Sequence, residues 1–267
     1  MSLKIAVHGV GGRMGRVVVQ RIAESDDCAL SAAIDRHESP FLGQDAGTLA
    51  GVHELGWPVT ASLEALATAD VVIDFSLPAA TDALLEAVVR YGRPLVLATT
   101  GLSDAQWAEV DRAAQRIPLI AAGNYSTGVA VLNHLAAQAS RLLPDFDLEV
   151  VEMHHRNKID APSGTALSLV DAAARGRGVD GRAHANYGRK GVTGVRPKDE
   201  IGVVTLRGGD VIGDHTLVLA GGGERLELTH RATNRDLFAR GALRAARWLA
   251  GKKPGRYGMN DVLGLGV

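Results

Sequence analysis

The sequence has very little cysteine, few aromatic residues and almost no net charge. Cys28 is the single cysteine among 267 residues, so no internal disulfide can form, and we expect a reducing, cytoplasmic location. The formal net charge of -1 at pH 7 creates no field that would attract nucleic acid or a membrane surface. No apolar run approaches the ~18 residues of a membrane-spanning helix. A strand is predicted to begin by Lys4, which leaves no room for a signal peptide. We therefore expect neither a nucleic-acid partner nor a membrane partner.

Glycine and small apolar residues are abundant instead. The chain contains 32 glycines, 46% hydrophobic residues and 22% charged residues, which is typical of a globular protein with many tight turns. Its length is sufficient for one large domain or two smaller ones.

Strand and helix patterns alternate through the first half of the chain. Apolar runs predict strands over residues 3–8, 29–34, 70–76, 94–100 and 117–122, and helical spacing predicts helices over 14–24, 79–91 and 104–116. Ser103 and Gln106 form a capping-box signature at the start of the last of these helices. Residues 38–59 are predicted to be a loop with one short strand. The repeated strand-helix-strand units predict an α/β fold with a Rossmann-type, doubly wound parallel sheet.

The pattern changes after residue 123. Helices are predicted over 129–143 and 166–174, a strand over 148–154, a loop over 176–200, three strands within 201–230, and an amphipathic helix over 236–250. Consecutive strands with short turns predict a second domain of α+β type with an antiparallel or mixed sheet.

A glycine-rich turn follows the first predicted strand and precedes a helix. Gly9, Gly12 and Gly15 fit the spacing G-x-x-G-x-x-G, whereas the more usual G-x-G-x-x-G fails because Met14 occupies its third position. Such a turn lets the backbone approach a pyrophosphate at a helix N-terminus. Asp35 ends the second strand, where a carboxylate accepts hydrogen bonds from ribose hydroxyls. The alternative is a tight turn beside a solvated aspartate, but the pairing of turn and carboxylate favours a dinucleotide.

The choice between NADH and NADPH stays open at this point. Arg36 is a cation that can bind a 2′-phosphate, while Asp35 would repel one. The mixture indicates that NADH is accepted and NADPH tolerated, and the preference between them stays open.

Residues 152–166, EMHHRNKIDAPSGTA, concentrate the acid–base chemistry. Three interpretations compete: a metal site, a basic surface loop, and an anion site with proton donors. Neighbouring strand residues such as His154 and His155 point to opposite faces, and no nearby residue completes a ligand set, so no metal is expected. Lys158 supplies a positive charge, and Ser163 is an N-cap that would leave helix N–H groups facing a carboxylate. This chemistry favours an anion site but does not name the substrate.

Five segments together resemble the dihydrodipicolinate reductase family, also called 4-hydroxy-tetrahydrodipicolinate reductase. The segments are VHGVGGRMG (7–15), ATTG (98–101), NYSTGV (124–129), EMHHRNKIDAPSGTAL (152–167) and GDVIGDHTLVLAGGGERLELTHRA (209–232). The resemblance implies a Rossmann dinucleotide-binding domain of residues 1–125 plus 236–267. It also implies a mixed-sheet domain of residues 126–235 that binds substrate and assembles the homotetramers common in this family.

The resemblance also implies an activity in diaminopimelate and lysine biosynthesis. NADH or NADPH would reduce a cyclic imine dicarboxylate, as its hydroxylated or its dehydrated ring, to tetrahydrodipicolinate. By analogy, His154 is the proton donor and acceptor and Lys158 a proton donor, while His155, Gly164 and Thr165 bind the substrate. The positions matching the family's cofactor contacts are Gly9, Val10, Gly11, Gly12, Arg13, Met14, Asp35, Arg36, Ala98, Thr99, Thr100, Ala122, Gly123, Asn124 and Tyr125.

Three positions depart from the common family pattern. Asp35 stands where glutamate is frequent, Ala98 where glycine is frequent, and Leu77 where a polar or basic residue is frequent. The first departure can alter ribose geometry, and the third can weaken NADPH binding.

Two other functions fit parts of the sequence. An aldehyde dehydrogenase acting through a thioester needs a nucleophilic cysteine, and Cys28 lies before the second strand, far from the predicted chemistry. A non-catalytic NAD sensor would not need the acid–base residues of 152–166.

Overall fold

The computed structural model describes residues 2–266. They form two compact units, one of residues 2–126 together with 236–266 and one of Thr127–Arg235. No helix within the described residues is long and apolar enough to cross a lipid bilayer.

Strands and helices are numbered here in chain order. The strands are β1 (Leu3–His8), β2 (Cys28–Ile34), β3 (Val59–Thr60), β4 (Val71–Asp74), β5 (Leu95–Leu97), β6 (Pro118–Ala121), β7 (Asp147–His154), β8 (Ala185–Asn186), β9 (Ile201–Arg207), β10 (Gly213–Ala220), β11 (Arg225–Ala232) and β12 (Gly255–Tyr257). The helices are α1 (Arg13–Ala23), α2 (Ala46–Ala50), α3 (Thr81–Tyr91), α4 (Asp104–Ala114), α5 (Thr127–Leu142), α6 (Gly164–Arg177), α7 (Gly181–His184), α8 (Asp236–Leu249) and α9 (Met259–Leu263). Short 3-10 helices cover Leu63–Thr68 and Pro78–Ala80.

The first unit contains a seven-stranded parallel sheet in the order β12-β6-β5-β4-β1-β2-β3. The strand order reverses at β1, which lies between β4 and β2, and this is the position at which Rossmann folds bind dinucleotides. Helices cover both faces, so Ile5, Ala6 and Val7 of β1 are all fully buried. The predicted Rossmann-type sheet is confirmed.

Local signals locate several elements of this unit. Ser103 accepts a hydrogen bond from the backbone N–H of Gln106, whose side chain accepts one from the Ser103 N–H, so the predicted capping box is present. Helix α8 buries Ala242, Ala245 and Leu249 along one stripe, as the amphipathic spacing predicted.

Other elements are absent from the sequence prediction. Strand β12 pairs in parallel with β6 at the edge of the sheet, and α9 follows it. Helix α2, capped by the Asp45 carboxylate, interrupts the predicted loop 38–59. These elements span three to five residues, which is too short for an apolar period to be recognised.

The second unit contains a mixed five-stranded sheet in the order β11-β10-β7-β9-β8. Strands β7, β8 and β9 are parallel, whereas β10 is antiparallel to both β7 and β11. One face forms a core with α5 and α6 through the following apolar side chains of the strands: Leu148, Val150, Ile201, Val203, Leu217 and Leu219. This arrangement confirms the predicted α+β sheet.

The loop predicted over residues 176–200 is partly wrong. Helix α6 continues to Arg177, α7 follows, and β8 pairs with β9. Arg189 then binds the carboxylates of Glu149 and Glu200, which anchors the remaining irregular segment to the sheet. Apolar periodicity does not predict that this segment is anchored, because ion pairs between residues distant in sequence hold it in place.

Candidate active site

The turn between β1 and α1 requires glycine at two positions. Gly9 has φ +80, and a Cβ there would lie 2.7 Å from the carbonyl oxygen of Phe75. A Cβ on Gly15 would lie 2.2 Å from the carbonyl oxygen of Gly9. A larger residue at Gly9 would clash with the backbone that follows β4, and one at Gly15 would clash with the backbone of the turn itself.

The same turn lies against Asp35. A Cβ on Gly11 would lie 2.2 Å from Asp35 Oδ2, so the carboxylate is in direct contact with the turn. The carboxylate is oriented by the Arg36 N–H, at 3.0 Å, and the Ser39 hydroxyl, at 2.6 Å. Gly12 is the N-cap of α1 and no side chain caps this helix end. The residues present therefore fit a dinucleotide, with uncapped helix N–H groups for a pyrophosphate and a carboxylate for a ribose.

A buried polar cluster lies where β1, β4 and β5 end. His8 Nδ1 is 2.7 Å from Asp74 Oδ1, and the Thr99 hydroxyl donates to Asp74 Oδ2 at 2.6 Å. All three residues are buried, and Asp74 is completely so. The side chain of Thr99, a predicted cofactor contact, is thus engaged by Asp74. Sequence reasoning missed His8 and Asp74, although the polar last residue of each apolar strand is a signal that could have found them.

Tyr125 is another predicted cofactor contact whose side chain has a partner within the protein. Its hydroxyl lies 2.9 Å from the carbonyl oxygen of Leu97 and 3.1 Å from that of Ile120, and the residue is 1% exposed. Burial, with the nearby charge of Asp74, raises the pKa of Tyr125 well above its ordinary value. The hydroxyl is therefore engaged within the protein, and the cofactor role of Tyr125 stays a prediction.

In the second unit, a polar cluster lies on the face of the sheet that packs against the helices, next to the apolar core on that face. Glu152 alternates in phase with Leu148 and Val150 along β7, and it pairs in register with Thr205 on β9 and His215 on β10. A carboxylate on a buried face must be hydrogen-bonded. Glu152 is completely buried, and this phase relation was the sequence signal that could have found it.

Five donors surround the Glu152 carboxylate. Oε1 accepts from the Ser163 N–H at 3.0 Å, the Thr205 hydroxyl at 3.2 Å and Arg207 Nη2 at 2.9 Å. Oε2 accepts from His154 Nδ1 at 2.6 Å and from Arg207 Nη1 at 2.9 Å. Burial alone would raise the pKa of Glu152, but the hydrogen bonds from Arg207, His154 and Ser163 outweigh it and lower that pKa.

Both histidines of the cluster favour their neutral forms. Burial lowers the pKa of His154, although the hydrogen bond to Glu152 opposes this effect. Burial and the proximity of His154 lower the pKa of His215 to about 4. The two rings meet edge to face with centroids 5.1 Å apart. His215 Nε2 lies 3.0 Å from the Ser163 hydroxyl, which also caps α6 by accepting from the Ala166 N–H.

The loop before α6 carries the remaining predicted residues. Lys158 Nζ forms an ion pair of 2.8 Å with Asp160, a partner that the sequence did not predict. Gly164 is the first residue of α6, and a Cβ placed there would meet no atom within 4 Å. His154, Ser163 and the start of α6 are thus brought together around Glu152. No group of three histidine, cysteine or acidic residues among the described residues is arranged to hold a metal ion.

Comparisons with known proteins place the two units in one family. Residues 3–125 match the model of the dihydrodipicolinate reductase N-terminus, and residues 128–263 match that of its C-terminus. The chain belongs to the dihydrodipicolinate reductase family. Together the two matches span nearly the whole sequence, so the resemblance found in the motifs is confirmed.

Relatives in this family are similar over their full length. A protein of Alkalilimnicola ehrlichii named 4-hydroxy-tetrahydrodipicolinate reductase is 53% identical over 267 residues, covering 99% of this chain and 100% of that protein. One of the same name from Thiobacillus denitrificans is 51% identical with the same coverage. A dipicolinate-bound dihydrodipicolinate reductase from a Paenisporosarcina species has the same fold, with a TM-score of 0.75 at 22% identity over 97% of this chain and 98% of that one.

Membership of the dihydrodipicolinate reductase family makes the chain an oxidoreductase that depends on a nicotinamide cofactor. The thioester mechanism is excluded on structural grounds as well. Cys28, the first residue of β2, is buried and lies at the strand end opposite Asp35, and burial raises its pKa.

Proposed function

We propose that this protein reduces 4-hydroxy-tetrahydrodipicolinate, or its dehydrated ring, to tetrahydrodipicolinate in diaminopimelate and lysine biosynthesis. The observation that carries the proposal is the buried Glu152–His154 pair beside the start of α6, in a chain whose full-length relatives bear this reductase name. Proton-exchanging groups next to helix N–H donors are what a reaction on an anionic ring requires.

The first unit is proposed to bind the cofactor, which supplies a hydride when bound. The uncapped start of α1 would receive the pyrophosphate, and the Asp35 carboxylate would accept hydrogen bonds from a ribose. The remaining proposed contacts are Gly9, Val10, Gly11, Gly12, Arg13, Met14, Arg36, Ala98, Thr99, Thr100, Ala122, Gly123, Asn124 and Tyr125.

We propose that NADH is accepted and NADPH tolerated. Asp35 sets a negative charge beside the ribose position, while the exposed Arg36 offers a cation to a 2′-phosphate. Leu77 is 60% exposed and offers no charge. Comparing kcat/KM for the two cofactors in the wild type and in Asp35→Ala tests this preference. An unchanged ratio in the variant would contradict the proposed role of Asp35.

The second unit is proposed to bind the dicarboxylate. Helix α6 has 14 residues, and the N–H groups of Gly164 and Thr165 belong to its first turn. The open space at Gly164 leaves room for a carboxylate, and His155 and Lys158 add polar and positive groups from the preceding loop. Negative charge that develops on the ring would be stabilised by Lys158 and by the helix start.

His154 and Lys158 are proposed to exchange the protons of the reaction. Nδ1 of His154 is engaged by Glu152, so Nε2 is the atom that gives or takes a proton. The ammonium group of Lys158 is held by its ion pair with Asp160, in the same loop that follows His154.

We also propose a cytoplasmic homotetramer assembled through the second unit. The face of its sheet opposite α5 and α6 carries partly exposed apolar side chains, which suits burial against another copy. These side chains are Val151, Met153, Val204, Leu206 and Val218.

Turnover of 4-hydroxy-tetrahydrodipicolinate, followed by the loss of NADH absorbance, tests the activity. We expect His154→Gln and Lys158→Met to lower kcat by about 10²- to 10⁴-fold, the contribution of a positioned acid or base. Lys198→Met changes an exposed lysine of the same unit and should leave turnover unchanged. Near-full turnover by both folded site variants, or no turnover by the wild type, would contradict the proposal.

A further inference from the structure

We infer that Glu152, anchored by Arg207, is a positioning residue that holds the proton of neutral His154 on Nδ1 and thereby reserves Nε2 for proton exchange. This inference deepens the proposed function, because it rests on the role given there to His154. It concerns two residues, Glu152 and Arg207, for which the sequence motifs assigned no role.

The hydrogen-bond count determines the state of the carboxylate. The Ser163 N–H and both Arg207 nitrogens can only donate, and they reach both oxygens of Glu152. The Thr205 hydroxyl adds a further bond to Oε1. With its acceptor positions taken by donors in a completely buried site, Glu152 is an anion and has no proton to give to His154.

The ionised state of Glu152 in turn determines the tautomer of His154. Nδ1 lies 2.6 Å from Glu152 Oε2, so the ring must donate from this atom in its neutral form and in its charged form alike. Only Nε2 is left to gain or lose a proton. Gly213 keeps that atom accessible, since a Cβ there would lie 2.9 Å from Nε2.

Charged and titratable groups face His154 from every neighbouring element. Glu152 on the same strand raises the pKa of His154, whereas Lys158 in the loop and Arg207 on β9 lower it. His215 on β10 faces the ring edge to face. His230 on β11 lies beyond, where its positive charge would lower the pKa of His215, and Asp160 pairs with Lys158. Removing Glu152 or Arg207 should therefore shift the titration of His154 in opposite directions.

Glu152→Gln makes a sharp test because the surrounding donors orient the amide. Three donors meet at the position of Oε1, whereas only Arg207 Nη1 joins His154 at Oε2, so the amide oxygen will occupy the Oε1 position and the NH₂ group will face His154 Nδ1. Nδ1 then has to accept a hydrogen bond, which moves the proton of the neutral ring to Nε2. Loss of the correct tautomer by the same kind of substitution is costly in enzymes that use an acid-histidine pair.

The tautomer can be measured without substrate, by ¹⁵N NMR of the histidine rings in the full-length protein. We expect the signal assigned to His154 to report the Nδ1–H tautomer in the wild type and the Nε2–H tautomer in Glu152→Gln. An Nε2–H tautomer in the wild type would overturn the inference, whatever the activity of the protein.

Kinetics supply the second readout. We expect Glu152→Gln to lower kcat on the order of 10²-fold with little change in KM, and Glu152→Asp to restore part of it. The alkaline limb of the pH profile should move to lower pH in Glu152→Gln and to higher pH in Arg207→Met. Asp147→Asn, which removes an arginine-paired carboxylate from the exposed start of the same strand, should leave the limb in place.

The outcomes separate this inference from the proposed function. An inactive wild type would contradict the function, whereas an active wild type whose pH limb is the same in Glu152→Gln and Arg207→Met would overturn the inference alone. If Glu152→Gln does not fold, the wild-type tautomer and the direction of the shift in Arg207→Met decide. A purely structural role predicts lower stability in both variants without opposite shifts of the limb.

Discussion

At the scale of single residues, each unit contains, among its described residues, one completely buried carboxylate in a strand of its sheet. Asp74 accepts hydrogen bonds from His8 and Thr99, and Glu152 accepts five from four residues. A buried carboxylate without partners costs several kcal/mol, so removing one partner is more harmful than the loss of a single surface ion pair. These carboxylates hold neighbouring side chains at the sites where chemistry is proposed.

Gly164 offers a test of the proposed carboxylate site. Because a Cβ there meets no atom within 4 Å, Gly164→Ala should leave the melting temperature unchanged or slightly higher. The added methyl group should raise KM for the dicarboxylate by about tenfold, the effect of one misplaced methylene in a binding pocket. Gly222→Ala, at another glycine with open space around its Cβ, is the matched control. Equal KM values in the two variants would remove Gly164 from the substrate site.

His215 should make stability depend on pH. Its pKa is lowered from 6.5 to about 4 by burial, so folding favours the neutral ring. The stabilisation is present above pH 6.5 and is lost as the pH falls towards 4, by about 3 kcal/mol for the full shift. His154 and Glu152, whose pKa values are also lowered, add a dependence of the same sign.

Urea unfolding between pH 7 and pH 4 measures this dependence. His215→Gln should flatten the curve without abolishing its slope, and His37→Gln, at an exposed position, should leave it as in the wild type. A wild-type slope in His215→Gln would show that the ring titrates normally.

At the scale of elements, the end of α5 depends on an arginine from α6. The Arg177 guanidinium donates to the carbonyl oxygens of Ser140, Leu143, Pro144 and Phe146, which lie in or just after the last turn of α5. Carbonyl groups at a helix end need such partners when they are shielded from water. Arg177 thereby joins the two helices that cover the second sheet.

We expect Arg177→Met to lower the free energy of unfolding by about 2–3 kcal/mol, because it removes a shared donor from four carbonyl groups, three of them in part-buried hydrogen bonds. Arg175→Met, two residues earlier on the exposed side of the same helix, should change it little. The midpoints of urea unfolding, compared at a constant m-value, measure the change in stability of each variant. Equal midpoints for the two variants would show that Arg177 does not stabilise the end of α5.

At the scale of the whole molecule, two apolar surfaces of the second unit compete as assembly faces. Val204 and Leu206 on the open sheet face are 42% and 45% exposed, and Leu135 on α5 is 45% exposed. The proposal commits to the sheet face, where apolar residues of adjacent strands form a continuous patch.

Light scattering coupled to size-exclusion chromatography tests that choice. The wild type should elute as a tetramer, Leu206→Lys as smaller species, and Leu135→Lys as the wild type does. Dissociation caused by Leu135→Lys alone would move the interface to α5, and a monomeric wild type would rule out the assembly.

The sequence alone determined the features whose chemistry is local. The glycine turn, the Ser103 capping box and the alternating apolar strands follow from backbone sterics and from periods of two or 3.6 residues, which neighbouring residues specify. His154, Lys158 and Ser163 lie within one short segment, so a candidate site and its acid–base character could be predicted from it.

Only the tertiary structure decided which distant groups complete that site. Three residues from other strands are brought to Glu152 or Ser163 by the register of the sheet: Thr205, Arg207 and His215. Likewise, β12 pairs with β6, which lies more than 130 residues earlier in the chain. Strand pairing joins residues across long stretches of chain, and no local period records which partner is chosen. The segment EMHHRNKIDAPSGTA therefore supplies the candidate proton donors, whereas the folded sheet supplies the Thr205 and Arg207 donors that hold the Glu152 carboxylate beside His154 Nδ1.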